Sequence, residues 1–352
     1  MNNGTLEEKF NTLVKAFSTL AAENQQLKDR LNNLEKLSGI KSLINEQPQV
    51  SYLADRLIHP YHKNAAPYFL VSAWTAIFSY LSLDPYERWA LRKQCKLFRD
   101  TLAPPLVATF PTGTIRKLST LLSILRKRTK RNKTCPTLVL LGQGDHTVTV
   151  KEIKNRSRNY QLIMLPITFV GHSKETTRII GGLEVKGDPS SAVPFRCVDL
   201  TITGSLGSGV WNTGCLPMEF LRCNICRNGV MGIDTYKLSK WKLSSCNIVD
   251  NASTGIGAKG ASGELINCTV SGNGNSGIRA QEDTEIHLYG DRTHVWNNCC
   301  RKQKENSFGL YCTDNSRIVL HEPLGLNCVH GNGKRSTKGH SKDMKGAVLI
   351  VP

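Results

Sequence analysis

Cys223–Asp234 reads CNICRNGVMGID, Cys246–Gly257 reads CNIVDNASTGIG and Cys268–Arg279 reads CTVSGNGNSGIR. Each begins with Cys, a polar residue and a β-branched one, then places Asn sixth, Gly tenth and Ile eleventh. The pattern extends backwards to Leu200, Ile202, Gly209 and Val210, and forwards to Thr293, Val295 and Asn298. A repeat of roughly 20–50 residues marks a stacked architecture, in which each unit buries its apolar face against its neighbours. Helical repeats would space apolar residues three and four apart and would not carry Gly and Asn in every unit. Here the residues alternate: Leu221, Cys223 and Ile225 are expected on one face, Arg222 and Asn224 on the other. Each repeat is therefore one turn of a parallel β-helix.

The columns follow from the alignment. Ile202, Ile225, Ile248, Val270 and Val295 are expected to point inward with the Cys/Leu column, where free thiols act as small hydrophobes. Asn228, Asn251, Asn273 and Asn298 form a ladder at a turn, each tolerating a left-handed backbone and bonding its equivalent in the next coil. Gly209, Gly232, Gly255, Gly277 and Gly309 are expected to re-aim the chain between strands. Two outward columns are available for binding. Thr201, Asn224, Asn247, Thr269 and His294 form one; Trp211, Asp234, Lys259, Arg279 and Tyr311 lie on or near the other. Between Asn298 and Gly309 the repeat carries extra residues, and these bring Arg301, Lys302 and Lys304 out as a basic loop. The candidate target-binding set is Asn224, Asn247, Thr269, Asp234, Arg279, Arg301 and Lys302. A solvated polar face would look the same.

The chain has 352 residues, which calls for two or three folding units, and its 39% hydrophobic and 21% charged content fits a soluble globular protein. No apolar run reaches the roughly 18 residues of a membrane helix, and MNNGTLEEKF lacks a secretory apolar core. Cytoplasm or nucleus is the expected location, with the cysteines reduced. The net charge of +18 is partly local: RKRTKRNK, Arg126–Lys133, is a run of six basic residues in eight. It reads as an import or nucleic-acid patch, or as a solvated helix end. Few aromatics interleave with it, which speaks against a nucleic-acid partner.

Residues 1–45 hold a heptad pattern, with Leu6, Leu13, Leu20, Leu27 and Leu34 at d and Phe10, Phe17, Asn24 and Leu31 at a. This predicts a coiled coil, and Asn24 buried against its twin favours a parallel homodimer. Leu13, Phe17, Leu20, Asn24, Leu27 and Leu31 are the expected dimer contacts. Residues 46–67 read as a linker. In 68–105, Trp74, Ile77, Phe78 and Leu81 share a helical face, and Asp84-Pro85-Tyr86-Glu87 opens a second helix with a capping box. Within 114–132, an amphipathic helix from Thr114 to Arg128 presents Ile115, Leu118, Leu121, Leu122 and Leu125. It is expected to cap the open end of the β-helix that occupies 133–352. The first, less regular coils are TLVLL, HTVTV, QLIMLPITFVG and TRIIGGLEVKG, and SKDMKGAVLIVP supplies at most one strand more.

The stretch AIFSYLSLDPYERWALRKQCKLFRD resembles an F-box, the module by which substrate receptors hold the Skp-type adaptor of cullin-RING ubiquitin ligases. The family's Ile-Phe-x-Tyr-Leu matches Ile77, Phe78, Tyr80 and Leu81. Its Val-Cys-Lys-x-Trp matches Cys95 and Lys96, with Phe98 in place of Trp. Phe69-Leu70 stands where Leu-Pro is usual, and Gln94 where Val is. The order of helix and strands that follows resembles the start of pectate-lyase-like right-handed β-helices. Together these resemblances imply a mainly β chain: a right-handed parallel β-helix preceded by an α-helical F-box-like module and a coiled coil. They also imply a receptor that binds the Skp-type adaptor through Ile77, Phe78, Tyr80, Leu81, Cys95 and Phe98, has the cullin as a further partner in that assembly, and binds a protein target through the solenoid.

The alternatives are a carbohydrate-active β-helix enzyme and a structural scaffold. Asp234, Glu264, Glu282, Asp283 and Asp291 fall on different columns and do not pair as a glycosidase requires. Cys223-x-x-Cys226 lacks a second pair at zinc spacing, and Gly142-Gln143-Gly144 is too short for a phosphate loop. No catalytic residue, metal or cofactor is expected.

Overall fold

The computed structural model describes residues 106–351 apart from 113, 132–135, 149–150, 154–155, 188–190, 192, 215, 237, 300–307, 325–327 and 333–346, together with 86, 89, 92 and 93; for 151–158 and 347 it describes the backbone alone. Met1–Pro104 and Pro105–Pro352 are separate compact units. In the first, Tyr86, Trp89, Arg92 and Lys93 are helical, and Lys93 Nζ lies 4.2 Å from the centre of the Trp89 ring. The expected coiled coil and dimer contacts lie outside the described residues, as do Ile77, Phe78, Tyr80, Leu81, Cys95 and Phe98.

The second unit is a parallel β-helix. Its strands form three long parallel sheets of ten, eight and seven strands, with neighbours in each sheet coming from successive coils. One coil runs Met218–Leu221 (sheet one), Asn224–Cys226 (sheet two) and Ile233–Tyr236 (sheet three); the next runs Lys240–Ser244, Asn247–Val249 and Ile256–Lys259. Their register is direct: Phe220 faces Leu243, Ile225 faces Ile248, and Ile233 faces Ile256. The antiparallel hairpin Lys151–Ile153/Arg156–Arg158 is set apart from these sheets.

Two columns of sheet one pack around aromatics. Phe195 meets Phe169 and Phe220 edge to face, with centroids 5.7 and 6.3 Å apart. Trp241 lies across Gly263, where a Cβ would fall 2.0 Å from the indole. Ile202, Ile225, Ile248, Val270 and Val295 are fully buried, as the alternation predicts. Burying such a side chain contributes about 1.5–3 kcal/mol.

Between sheets one and two the alternation breaks. Asp199, Arg222, Ser245 and Asn267 have φ of 52–53°, or the left-handed conformation, and turn the chain by one residue. Leu221 consequently stands on the outer side of sheet one, half-buried, while Cys223 and Ile225 point inward. The expected common face for all three is corrected by this bend. The cysteines do more than fill space: Cys223 N–H donates to Cys246 Sγ (3.4 Å), Cys246 N–H to Cys268 Sγ (3.5 Å) and Cys268 N–H to Thr293 Oγ1 (3.3 Å). All described cysteines are free thiols.

The second bend corrects the Asn ladder by one position. Arg227, Asp250, Gly272 and Asn297 are the left-handed residues, and each precedes a ladder Asn. The ladder runs one coil beyond its expected end, since Asn298 Nδ2 donates to Asn332 Oδ1 at 2.8 Å. Gly209, Gly232, Gly255 and Gly277 are not left-handed; they are needed because the next coil is too close. A Cβ on Gly232 would stand 2.6 Å from Gly255 O and 2.9 Å from Asn251 Nδ2.

Helix α1 (Leu118–Lys130) starts later than the periodicity predicts, because Thr112 and Ile115 exchange backbone hydrogen bonds in a turn. Leu118, Leu121, Leu122 and Leu125 join the solenoid core, and Ile115 packs on it from the turn. Lys127, Arg128 and Lys130 sit in the last turn, where the helix dipole favours cations. The strand Val107–Phe110, ahead of α1, pairs with Leu138–Leu141 and extends sheet one beyond the expected first coil. At the other end Ala347–Val351 pairs with Arg317–His321.

Candidate functional site

The two outward columns read from the sequence lie on different sheets. Thr201, Asn224, Asn247, Thr269 and His294 are in register on sheet two. Much of that column is internally satisfied: Asn247 Nδ2 donates to Asn224 Oδ1 (2.9 Å), and Thr201 Oγ1 to Lys174 O (2.5 Å). Its far end is exposed, with Trp296 stacked on His330 at 5.9 Å. Arg301, Lys302 and Lys304 lie outside the described residues.

Asp234 and Arg279 belong to sheet three, in the column Glu184, Trp211, Asp234, Gly257, Arg279 and Tyr311. Lys259 is not in it. Gly257 occupies the matching place, and Lys259, two residues on, faces Tyr236 and Gln281. The structure thus does not gather the sequence-derived candidates into one site. It keeps Asp234 and Arg279 in one column with Trp211 and Tyr311, and adds Tyr160, Tyr236 and Phe308, which the sequence reading did not single out.

The sheet-three arrangement is built from strand geometry. Tyr160 lies over Gly182 and Gly207, where any Cβ would collide with its ring or hydroxyl, and its hydroxyl accepts the Ser208 N–H at 2.6 Å. This fixes Tyr160 against Trp211, with ring centroids 5.7 Å apart. One coil further, Tyr236 lies two residues after Asp234 on the same face and donates its hydroxyl to Asp234 Oδ2 at 3.2 Å. At the next coil the Met231 thioether lies over Gly257, its sulfur 2.7 Å from where a Cβ would stand, and Gly257 is buried beneath it. One coil further, the Arg279 guanidinium sits 5.6 Å from the Tyr311 ring centre, and the buried Tyr311 stacks on Phe308. Adjacent coils are roughly 4.8 Å apart, so Asp234 and Arg279 stand about 10 Å apart along the column. Burial pushes the half-buried Asp234 carboxyl up to about 6, against the opposing effects of Tyr236 and Arg279.

Six other carboxylates are ion-paired along or between coils. Asp145 meets Arg178, Glu184 meets Lys186, Glu219 meets Arg196 and Asp199 meets Arg222, each at 2.6 Å; Glu282 meets Lys259 at 2.8 Å and Glu264 meets Lys242 at 3.1 Å. Among the described residues no three His, Cys, Asp or Glu converge on a metal position. Sheet one carries a third outward cluster that the sequence reading missed. His287 Nδ1 lies 2.8 Å from His321 Nε2, and Tyr289 stacks on His321 at 4.1 Å. Continuing the period-two reading through EIHLY and RIVLH would have put these rings side by side.

The sequence pattern of a family described as "Right handed beta helix region" matches residues 182–340. This segment is a right-handed β-helix. Solved structures of similar fold include the pectate lyase Pel9A, at 12% identity and a TM-score of 0.41 over 61% of this chain and 67% of that one. The A-module of the Azotobacter vinelandii mannuronan C-5 epimerase AlgE4 is similar at 13% identity and a TM-score of 0.29, covering 66% of this chain and 89% of that one. Escherichia coli ybhc is similar at 10% identity and a TM-score of 0.36, covering 70% and 84%. No curated protein sequence matches this chain.

Proposed function

We propose that the chain is a substrate-recognition subunit of a cullin-RING ubiquitin ligase, with residues 68–105 holding the Skp-type adaptor and the β-helix holding a protein target. The observation that carries the target-binding half is the sheet-three column, where Trp211, Asp234 and Arg279 stand half-buried on the outer side of a rigid frame. Rigid placement of aromatic and charged anchors favours recognition, because little ordering entropy is lost on binding. The adaptor half is supported by the match of Ile77, Phe78, Tyr80, Leu81, Cys95 and Phe98 to the F-box pattern. The heptads would pair two such receptors through Leu13, Phe17, Leu20, Asn24, Leu27 and Leu31.

The test is co-purification of the full chain with a purified Skp-type adaptor bound to its cullin. Wild type is expected to bind, and Phe78→Ala with Leu81→Ala to lose binding while keeping its melting temperature. Wild-type protein that binds no adaptor overturns the proposal.

A second reading, a carbohydrate-active β-helix enzyme, is favoured by one observation. Asp234, pushed up to about 6 beside Tyr236, has the character of an acid–base group on an exposed face. Release of new chain ends from a polyuronide by wild type, but not by Asp234→Asn, would establish it.

A further inference from the structure

We propose that His287 and His321, on neighbouring coils of sheet one, bind a zinc ion with Glu264 as the third protein ligand. This site is separate from the recognition reading above and does not depend on it.

Two ligand nitrogens already converge. His287 Nδ1 and His321 Nε2 lie 2.8 Å apart, on the strands Glu285–Tyr289 and Arg317–His321 of adjacent coils. Two nitrogens holding a tetrahedral zinc at about 2.0–2.1 Å stand about 3.3 Å apart, so the rings need to part by only about 0.5 Å. Both residues are half-buried, which leaves an ion a path from solvent.

The surroundings set the rings for this task. Glu285 Oε1 lies 3.5 Å from His287 Nε2, which favours the ring proton on Nε2 and leaves the Nδ1 lone pair facing His321. A carboxylate behind a metal-bound imidazole fixes its tautomer and raises its basicity. Tyr289 stacks on His321 with centroids 4.1 Å apart and planes at 14°, which holds the second ring. His321 Nε2 then donates to His287 Nδ1. On metal binding that proton moves to His321 Nδ1 through water, and Nε2 turns its lone pair to the zinc.

Glu264 completes the set. It is in register with His287 on the preceding coil, and its charge acts on both His321 and Tyr289. Adjacent coils are roughly 4.8 Å apart, within the reach of a glutamate side chain. Its ion-pair partner is Lys242 at 3.1 Å, an exposed pair of the kind that costs little to break. Turning from Lys242 towards the next coil brings the carboxylate beside the two nitrogens. Imidazole and carboxylate together suit zinc, whereas calcium and magnesium sites are built of oxygen. The fourth position is left for water.

The experiment uses the full-length, metal-free protein with zinc alone in equilibrium dialysis, and cobalt(II) as the spectroscopic stand-in. Wild type is expected to hold one more zinc than His287→Gln or His321→Gln. Glu264→Gln should weaken that zinc at least tenfold. His294→Gln, in the His294–His330 pair on sheet two, should leave it unchanged. Zinc should raise the melting temperature of wild type more than that of either sheet-one histidine variant. Cobalt on wild type should show visible d–d bands from nitrogen and oxygen ligands. Equal zinc content in wild type and both sheet-one variants overturns the proposal, as does loss of the same zinc in His294→Gln. Unchanged affinity in Glu264→Gln overturns the three-ligand set. Cobalt that binds wild type through thiolates alone, or not at all, overturns the site without recourse to any variant, so a variant that fails to fold does not shield it.

Discussion

Asn228 donates twice to a single oxygen, Asn251 Oδ1: once from its backbone N–H at 3.1 Å and once from Nδ2 at 2.9 Å. Asn251 repeats this towards Asn273, at 3.1 and 3.0 Å, and its Nδ2 also reaches Ile225 O at 3.1 Å. All three are buried. The side chains therefore satisfy backbone groups that the turn would strand in an apolar interior, besides tying coil to coil.

Asn251→Ala should be among the most damaging single changes in the solenoid. It leaves the Asn228 N–H and Nδ2, Ile225 O and Asn273 Oδ1 short of partners. A loss of about 3–5 kcal/mol is expected, read by denaturant unfolding. A loss below about 1 kcal/mol would show that water replaces the ladder.

The cysteine column gives a matched pair of variants. Cys246 Sγ accepts the Cys223 N–H, and Thr293 plays the same part for Cys268 through its hydroxyl. Cys246→Thr should therefore cost under about 1 kcal/mol, and Cys246→Val about 1–3 kcal/mol, since valine leaves that N–H unpaired. Burial pushes the Cys223 and Cys268 thiols far up, so a thiol reagent should not label them in the native protein. Equal costs for the threonine and valine variants would show that the sulfur serves only as volume.

Gly232→Ala should cost about 1–3 kcal/mol through crowding, without any backbone penalty. The new methyl group would stand 2.6 Å from Gly255 O and 2.6 Å from Ile248 Cγ2, in an interior that yields little. Thermal unfolding of the variant checks this. An unchanged melting temperature would mean the coils can separate slightly.

Asp234 gives a pH signature. Its folded carboxyl titrates at about 6, above the roughly 3.9 of an unfolded chain, so between those values the folded protein holds more proton. Stability from this group is thus present below pH 4 and is lost as pH rises through about 6. Asp234→Asn should be more stable than wild type at pH 7, by about 1–2 kcal/mol after allowance for solvent screening, and equal to it near pH 4. Melting curves at both pH values measure the gap; one that does not widen with pH would mean Asp234 is compensated.

The inward columns were legible because Ile225, Ile248 and Val270 recur with Asn and Gly in fixed register, and stacking admits few ways to satisfy all three. The bends were not. Arg222 and Ser245 adopt left-handed backbone although neither residue type asks for it; the surrounding hydrogen bonds impose it. Asn332 escaped notice because it stands 34 residues after Asn298, although Gly331-Asn332-Gly333 repeats Gly272-Asn273-Gly274. The candidate site was half legible. Asp234 and Arg279 were read as outward, but Tyr160 reaches Trp211 from a coil too irregular for alignment. Lys259, read as on or near that column, lies two residues beyond Gly257 on the same strand face, level with Tyr236.

The amide ladder also has a polarity. From Asn228 to Asn298 each side-chain amide donates to the coil that follows it. Every coil thus carries a plug on one side and an identical socket on the other. Excising one full repeat, from Cys246 through Asn267, would bring Asn228 against Asn273 with the seam closed. Excising part of one would leave a plug facing no socket. A protein built this way changes length in whole turns, and its outward surface lengthens or shortens by whole rows of side chains with the rows on either side undisturbed.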